Sequence, residues 1–249
     1  DPARAAALAA LGVEPLALDL AAPGAEARVP AVDAVVACQS AGADTAEAYR
    51  TAYVASTGAL LAAARRLGGV PLVYTGSTGV FGQRDGSDVD ELTPPAPAGP
   101  TGEVLAEAER LVLGAPGALG VPACLLRLSG LSGPGRAGTL DRVRTGRLAL
   151  GPGDDAWMNF CHLDDAVAFT LAALDRGFPG AVYHGSDAQP PRRRELVEWV
   201  AARLGIEPPR TEAPAPPGPS RRVLSERSRD ALGVTLRYPS FREGFEALM

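Results

Sequence analysis

Leu72-Val73-Tyr74-Thr75-Gly76-Ser77-Thr78-Gly79-Val80-Phe81-Gly82 decides how the rest of the chain is read. Its first half is a β-rich apolar run. It ends abruptly in small hydroxyl and glycine residues, the pattern of a buried parallel strand whose carboxyl end opens onto a loop. Three further runs have the same character: Leu16-Ala17-Leu18-Asp19-Leu20, Ala34-Val35-Val36-Ala37-Cys38 and Ala123-Cys124-Leu125-Leu126-Arg127-Leu128. Between them, Thr45 to Leu67 places Tyr49, Tyr53, Ser56, Leu60 and Ala64 at three- and four-residue spacing, and Glu103 to Leu113 is a second amphipathic helix. Strands alternating with helices predict parallel βαβ units in an α/β domain, whose ligands sit at the carboxyl ends of the strands.

Beyond residue 129 the pattern changes. Gly/Pro punctuation at Ser132 to Arg136 and Gly151 to Gly153 precedes helices near 163 to 175 and 191 to 204. Pro208 to Pro219 reads as an extended surface segment. The expected division is residues 1 to 128, plus a strand near 181 to 185, as one domain, with 129 to 249 as a smaller C-terminal lobe.

The 249 residues are 46% hydrophobic and 21% charged, with a formal net charge of −5. That balance predicts a globular, cytoplasmic chain that binds neither nucleic acid nor membrane. Cys38, Cys124 and Cys161 form no Cys-x-x-Cys pair, and with His162 and His184 they give no metal-ligand spacing. All 24 basic residues are Arg. The chain therefore has no lysine for a phosphate loop, a Schiff base or the activation of a phenol.

Tyr74-Thr75-Gly76-Ser77-Thr78-Gly79-Val80-Phe81-Gly82, followed by Asp90-Glu91-Leu92-Thr93-Pro94-Pro95, resembles the extended short-chain dehydrogenase/reductases, the NAD-dependent sugar epimerase/dehydratase family, in which the chain is similar to an atypical bacterial subgroup. Arg127 to Arg136 is similar to that family's Arg-to-Gly-Pro-Gly segment. Asn159-Phe160-Cys161-His162-Leu163-Asp164-Asp165 and Tyr238 to Gly244 are similar to later motifs of the family and of an atypical subgroup. The resemblance implies a Rossmann-like, doubly wound parallel sheet with a C-terminal substrate lobe, binding NAD or NADP.

Two departures accompany it. The family opens with a strand, a Gly-x-Gly-x-x-Gly turn and a helix. Here Asp1-Pro2-Ala3-Arg4 looks like the turn after the family's second strand, so the first βαβ unit is expected to be missing from the printed chain. Where the family carries Tyr-x-x-x-Lys, this sequence has Thr101 and Leu105. An aliphatic hydroxyl is far less acidic than a phenol of pKa about 10, and leucine has no charge with which to shift it.

By resemblance, the candidate catalytic residues are Ser77, Thr78, Thr101 and His162. Asp19, Leu20, Ala37, Cys38, Thr75, Gly76, Ser129 and Gly130 are expected along the cofactor, and Arg136 on the substrate. Plainer readings stand beside these. Asp19 can cap its own turn, Ser77 can satisfy backbone groups, and Asp164 or Asp165 can cap the following helix while His162 packs at the lobe junction. Two functions follow. One is an NAD(P)-dependent oxidoreductase or epimerase acting on a small carbonyl or sugar-nucleotide substrate with a non-standard acid/base; the other is a catalytically degenerate dinucleotide-binding sensor or partner-binding protein. The resemblance also implies a candidate homodimer through Thr45 to Leu67 and Glu103 to Leu113.

Overall fold

The structure is a computed structural model that describes residues 2–152, 154–213 and 218–249. Helix α1 (Pro2–Ala10) and the single turn α2 (Ala25–Arg28) precede strand β1 (Val35–Ala37). A long helical stretch follows, made of α3 (Ala46–Tyr49), a π-helical segment (Arg50–Ala55) and α4 (Ser56–Arg66). Next come β2 (Leu72–Ser77), β3 (Asp88–Val89), α5 (Pro100–Leu119), β4 (Ala123–Leu128) and β5 (Gly130–Ser132). The remainder holds α6 (Gly138–Arg144), β6 (Phe160–His162), α7 (Leu163–Arg176), β7 (Val182–Gly185), α8 (Arg193–Leu204), β8 (Arg222–Val223), α9 (Glu226–Leu232) and α10 (Phe241–Glu246).

Four strands form a parallel sheet in the order β1-β2-β4-β7, with Val73 paired to Val36 and Cys124, and Leu126 to Tyr183. Because side chains alternate across a strand, each strand feeds two cores. Leu72, Tyr74, Ala123 and Leu125 pack on Leu61 and Ala64 of α4 and on Ala108 and Val112 of α5. Val73, Cys124 and Leu126 pack on Phe169, Ala172 and Ala173 of α7 and Leu232 of α9. Helices therefore cover both faces, the Rossmann-like arrangement, and each fully buried Leu, Val or Phe contributes roughly 1.5–3 kcal/mol. A separate core joins α6, α8 and α10 around Phe160, with Leu140, Leu196, Phe241 and Phe245 inside it.

Local signals set the helix ends. Thr45 Oγ1 accepts from Ala48 N at 3.2 Å and caps α3. Pro100 opens α5 and Gly120 (φ 67°) closes it in the left-handed region. A Cβ at Gly69 would fall 2.8 Å from Gly120 O, so the turns after α4 and α5 touch backbone to backbone.

Three expectations are corrected. Leu16 to Leu20 is not a strand: it has no ladder partner among the described residues, and Leu16 is exposed. An apolar run becomes a strand only where a neighbour supplies hydrogen bonds. Residues 2 to 4 begin α1 and are not a turn. Neither Asp164 nor Asp165 caps α7. Instead His162 Nδ1 accepts from Asp164 N at 3.2 Å, and Asp165 accepts from Arg237 N and Tyr238 N at 2.8 and 3.0 Å. Part of the Pro-rich segment, residues 214 to 217, lies outside the described residues, as does Asp1.

Candidate functional site

β1, β2 and β4 end side by side, and each passes into a loop of small or polar residues. Those loops enclose a cavity of about 680 Å³. Cys38, Gln39 and Ser40 follow β1, Thr75, Gly76 and Ser77 end β2, and Leu128, Ser129, Gly130 and Leu131 follow from β4. Tyr53 of the π-helical segment, Arg136, and the α7 face carrying Leu163, Val167, Thr170 and Leu171 complete the wall.

The small residues are required by close packing. A Cβ at Gly76 would come within 3.0 Å of Leu125 Cδ1 and 3.2 Å of Tyr74 Cε1. Thr75 Oγ1 donates to Ala37 O at 3.2 Å and ties β2 to β1. Ser77 Oγ accepts from Gly79 N at 3.0 Å, which leaves its own proton free to donate. Ser129 Oγ donates to Ser186 Oγ at 2.9 Å, and Ser225 Oγ donates to Ser186 O at 2.8 Å, so the ends of β4 and β7 are joined to the loop after β8.

Beneath the floor, Arg127 donates from Nε and Nη2 to both oxygens of Glu109, at 3.0 and 2.9 Å. Both side chains are almost fully buried. Burial pushes the Glu109 carboxyl up, and the two charge-assisted bonds from Arg127 pull it back. Tyr74, also buried, has its phenol pushed up by burial and by Glu109, and its hydroxyl has no hydrogen-bond partner among the described residues.

The expected residues thus divide. Cys38, Thr75, Gly76, Ser77, Ser129, Gly130 and Arg136 share the cavity. Arg136 is exposed at its rim and has no ion-pair partner among the described residues. Ala37 is buried and meets the site only through its carbonyl. Asp19 and Leu20 lie outside the lining, and Asp19 Oδ1 accepts from Ala21 N at 2.9 Å. Thr78 is buried, with its carbonyl accepting from Arg221 Nη2 at 2.6 Å. Thr101, half-buried in the first turn of α5, and His162, buried against Tyr238, are also outside it. Leu105 is close by: its Cδ1 and Ser77 Oγ lie 3.6 and 3.2 Å from the point a Cβ at Gly79 would occupy.

Sequence reasoning missed Gln39, Ser40, Tyr53 and the α7 face. The signals were present. Gln39 and Ser40 directly follow a strand end, and Val167, Thr170 and Leu171 stand at helical spacing on a face left exposed at Val167 and Leu171. Gly133-Pro134-Gly135-Arg136-Ala137-Gly138 has the Gly-x-Gly-x-x-Gly spacing, but it follows a strand of the two-stranded β5–β6 sheet and enters a seven-residue helix. A second cavity, of about 660 Å³, lies between Asp90, Glu91, Trp157 and the segment from Arg222 to Asp230. The described residues hold no group of three or more His, Cys, Asp or Glu placed to hold a metal ion, and no helix among them is long and apolar enough to cross a membrane.

Comparison with known proteins places this geometry. The chain is 31% identical over 168 residues to protein YeeZ of Escherichia coli K12, an alignment covering 68% of this chain and 58% of YeeZ. It is 33% identical over 162 residues to a 3-diazoavenalumate denitrifying reductase of a Streptomyces species, covering 58% of this chain and 51% of the reductase. It therefore spans between half and three fifths of the length of these relatives. The dTDP-glucose 4,6-dehydratase DesIV of Streptomyces venezuelae, solved with NAD and DAU bound, superposes with a TM-score of 0.84 at 21% identity, covering 99% of this chain and 82% of DesIV, and so shares its fold. The model of the NAD-dependent epimerase/dehydratase family matches residues 3 to 184, and the chain belongs to that family.

Proposed function

We propose that this protein is an NAD(P)-dependent oxidoreductase or epimerase acting on a small carbonyl or sugar-nucleotide substrate in the cavity at the ends of β1, β2 and β4. The observation that supports this reading is the convergence there of the Ser77 hydroxyl, the Arg136 guanidinium and a floor of small residues. Cys38, Thr75, Gly76, Ser129 and Gly130 present small side chains and backbone, a lining that leaves room for the flat amide-bearing ring and ribose of a nicotinamide dinucleotide. When bound, the dinucleotide would supply or accept the hydride. Ser77 would donate to the substrate oxygen and favour the charge that develops on it. Arg136 would hold a phosphate or carboxylate of the substrate at the rim. On this reading residues 1 to 128 with the strand near 181 to 185 serve the dinucleotide, and the remainder shapes the substrate end.

The alternative, a dinucleotide-binding sensor without turnover, draws support from Leu105, an uncharged side chain packed beside Ser77. Titration of full-length protein with NAD(H) and NADP(H) by nicotinamide fluorescence, followed by carbonyl and sugar-nucleotide screens at 340 nm, separates the two. Ser77→Ala is expected to lower kcat about 10²–10³-fold with cofactor affinity unchanged. Tight cofactor binding with no turnover of any substrate would favour the sensor, and failure to bind either dinucleotide would remove both readings.

A further inference from the structure

With Thr101 outside the cavity and no lysine in the chain, the site needs another group to move a proton. Tyr53 is on the cavity wall with Ser77. It stands in the π-helical segment Arg50–Ala55, where the extra residue per turn alters which side chains face inward; such segments are frequent at functional sites. Its ring lies 5.2 Å from that of Tyr49 and packs on the cluster of Val80, Phe81 and Leu105. Leu105 Cδ1 and Ser77 Oγ lie 3.6 and 3.2 Å from the point a Cβ at Gly79 would occupy, so the cluster that Tyr53 packs on extends to the Ser77 side of the cavity that Tyr53 and Ser77 both line.

The other phenols are otherwise engaged. Tyr74 is sealed in the core, Tyr183 accepts from Phe178 N at 3.0 Å, Tyr238 stacks on His162, and Tyr49 is outside the lining. The Tyr53 hydroxyl has no hydrogen-bond partner among the described residues.

We propose that Tyr53 is the proton donor of the reaction in this cavity. In the reducing direction its O–H bond breaks and the proton goes to the substrate oxygen, while the carbonyl carbon takes a hydride from a reduced nicotinamide dinucleotide. The carbonyl π pair becomes the new O–H bond, and the phenolate left on Tyr53 regains a proton from water at the open mouth. A phenol suits this role better than an aliphatic hydroxyl because its pKa, about 10, lies closer to the working range. The proposal rests on the cavity being a nicotinamide site.

The test is alkaline titration of the phenols at 295 nm, with and without NAD⁺, on wild type, Tyr53→Phe and Tyr49→Phe. A cationic nicotinamide ring beside Tyr53 is expected to move one phenol's transition down by about one pH unit in wild type and in Tyr49→Phe. In Tyr53→Phe that shift is expected to vanish, with NAD⁺ affinity held within about twofold. Turnover at 340 nm is expected to fall about 10²–10⁴-fold in Tyr53→Phe. A shift that persists in Tyr53→Phe, or turnover that survives it, overturns the assignment while leaving the cavity reading intact. Wild type that binds no dinucleotide overturns the cavity reading, and the assignment falls with it.

Discussion

Glu109→Leu tests whether the floor of the cavity depends on its buried ion pair. The substitution leaves the Arg127 guanidinium with side-chain exposure of only 3% and without either of its carboxylate bonds. Its Nη1 already lacks a hydrogen-bond partner among the described residues, and the Phe81 ring lies 4.9 Å from its central carbon. Stranding a buried charge costs about 3–5 kcal/mol. For a chain of this size each kcal/mol moves the melting temperature by about 2–4 °C, so a loss on the order of 10 °C is expected. The double variant Glu109→Leu with Arg127→Met removes both charges and fills similar volume, and it is expected to recover most of the loss. Differential scanning calorimetry at neutral pH reads both. A single variant melting within about 2 °C of the parent would refute the reasoning, as would a double variant no better than the single.

Two further outcomes follow from buried groups. His184 is fully buried, its Nδ1 donating to Leu224 O at 3.0 Å, and burial pushes its pKa down to about 4. The unfolded chain therefore takes up a proton near pH 6.5 that the folded chain refuses until about pH 4. Stability is complete above that window and falls through it on acidification by on the order of 3 kcal/mol. Urea unfolding across pH 4 to 7 checks this, and a His184→Asn variant with the same slope would count against it. At Gly82 a Cβ would meet Ala96 O at 2.5 Å and Ala98 N at 2.9 Å, both backbone atoms. Gly82→Ala is expected to destabilise by about 1–3 kcal/mol, measured by the same titration, and a neutral result would show that the loop after β2 yields freely.

The sequence was most legible where one local pattern fixed one element. The apolar run that stops at Thr75-Gly76-Ser77 gave β2 and the floor of the cavity together, because strand end and ligand end coincide in a parallel sheet. Leu16 to Leu20 has the same composition and is no strand, since composition says nothing of a pairing partner. The π-helical segment was hidden because Tyr49 and Tyr53, four residues apart, fit ordinary helical spacing equally well. His162 was weighed as acid, base or packing residue. Its capping bond to Asp164 N depends on a ring rotamer that no spacing rule encodes. The α7 wall of the cavity stayed out of view for another reason: its residues lie about 35 to 40 positions beyond Ser129, and it is the packing of Phe169, Ala172 and Ala173 on Val73, Cys124 and Leu126 that turns that helix over the strand ends.

The fourth strand of the main sheet has a consequence for biosynthesis. β4 waits for β7 while the ribosome adds the residues from Leu128 to Val182, several seconds of elongation at roughly 5–20 residues per second. During that interval the nascent chain carries an unpaired strand edge from Leu125 to Leu128 and an uncovered apolar face at Cys124 and Leu126. Pairing with β7 and packing of α7 close both, so slower elongation between Leu128 and Val182 lengthens their exposure.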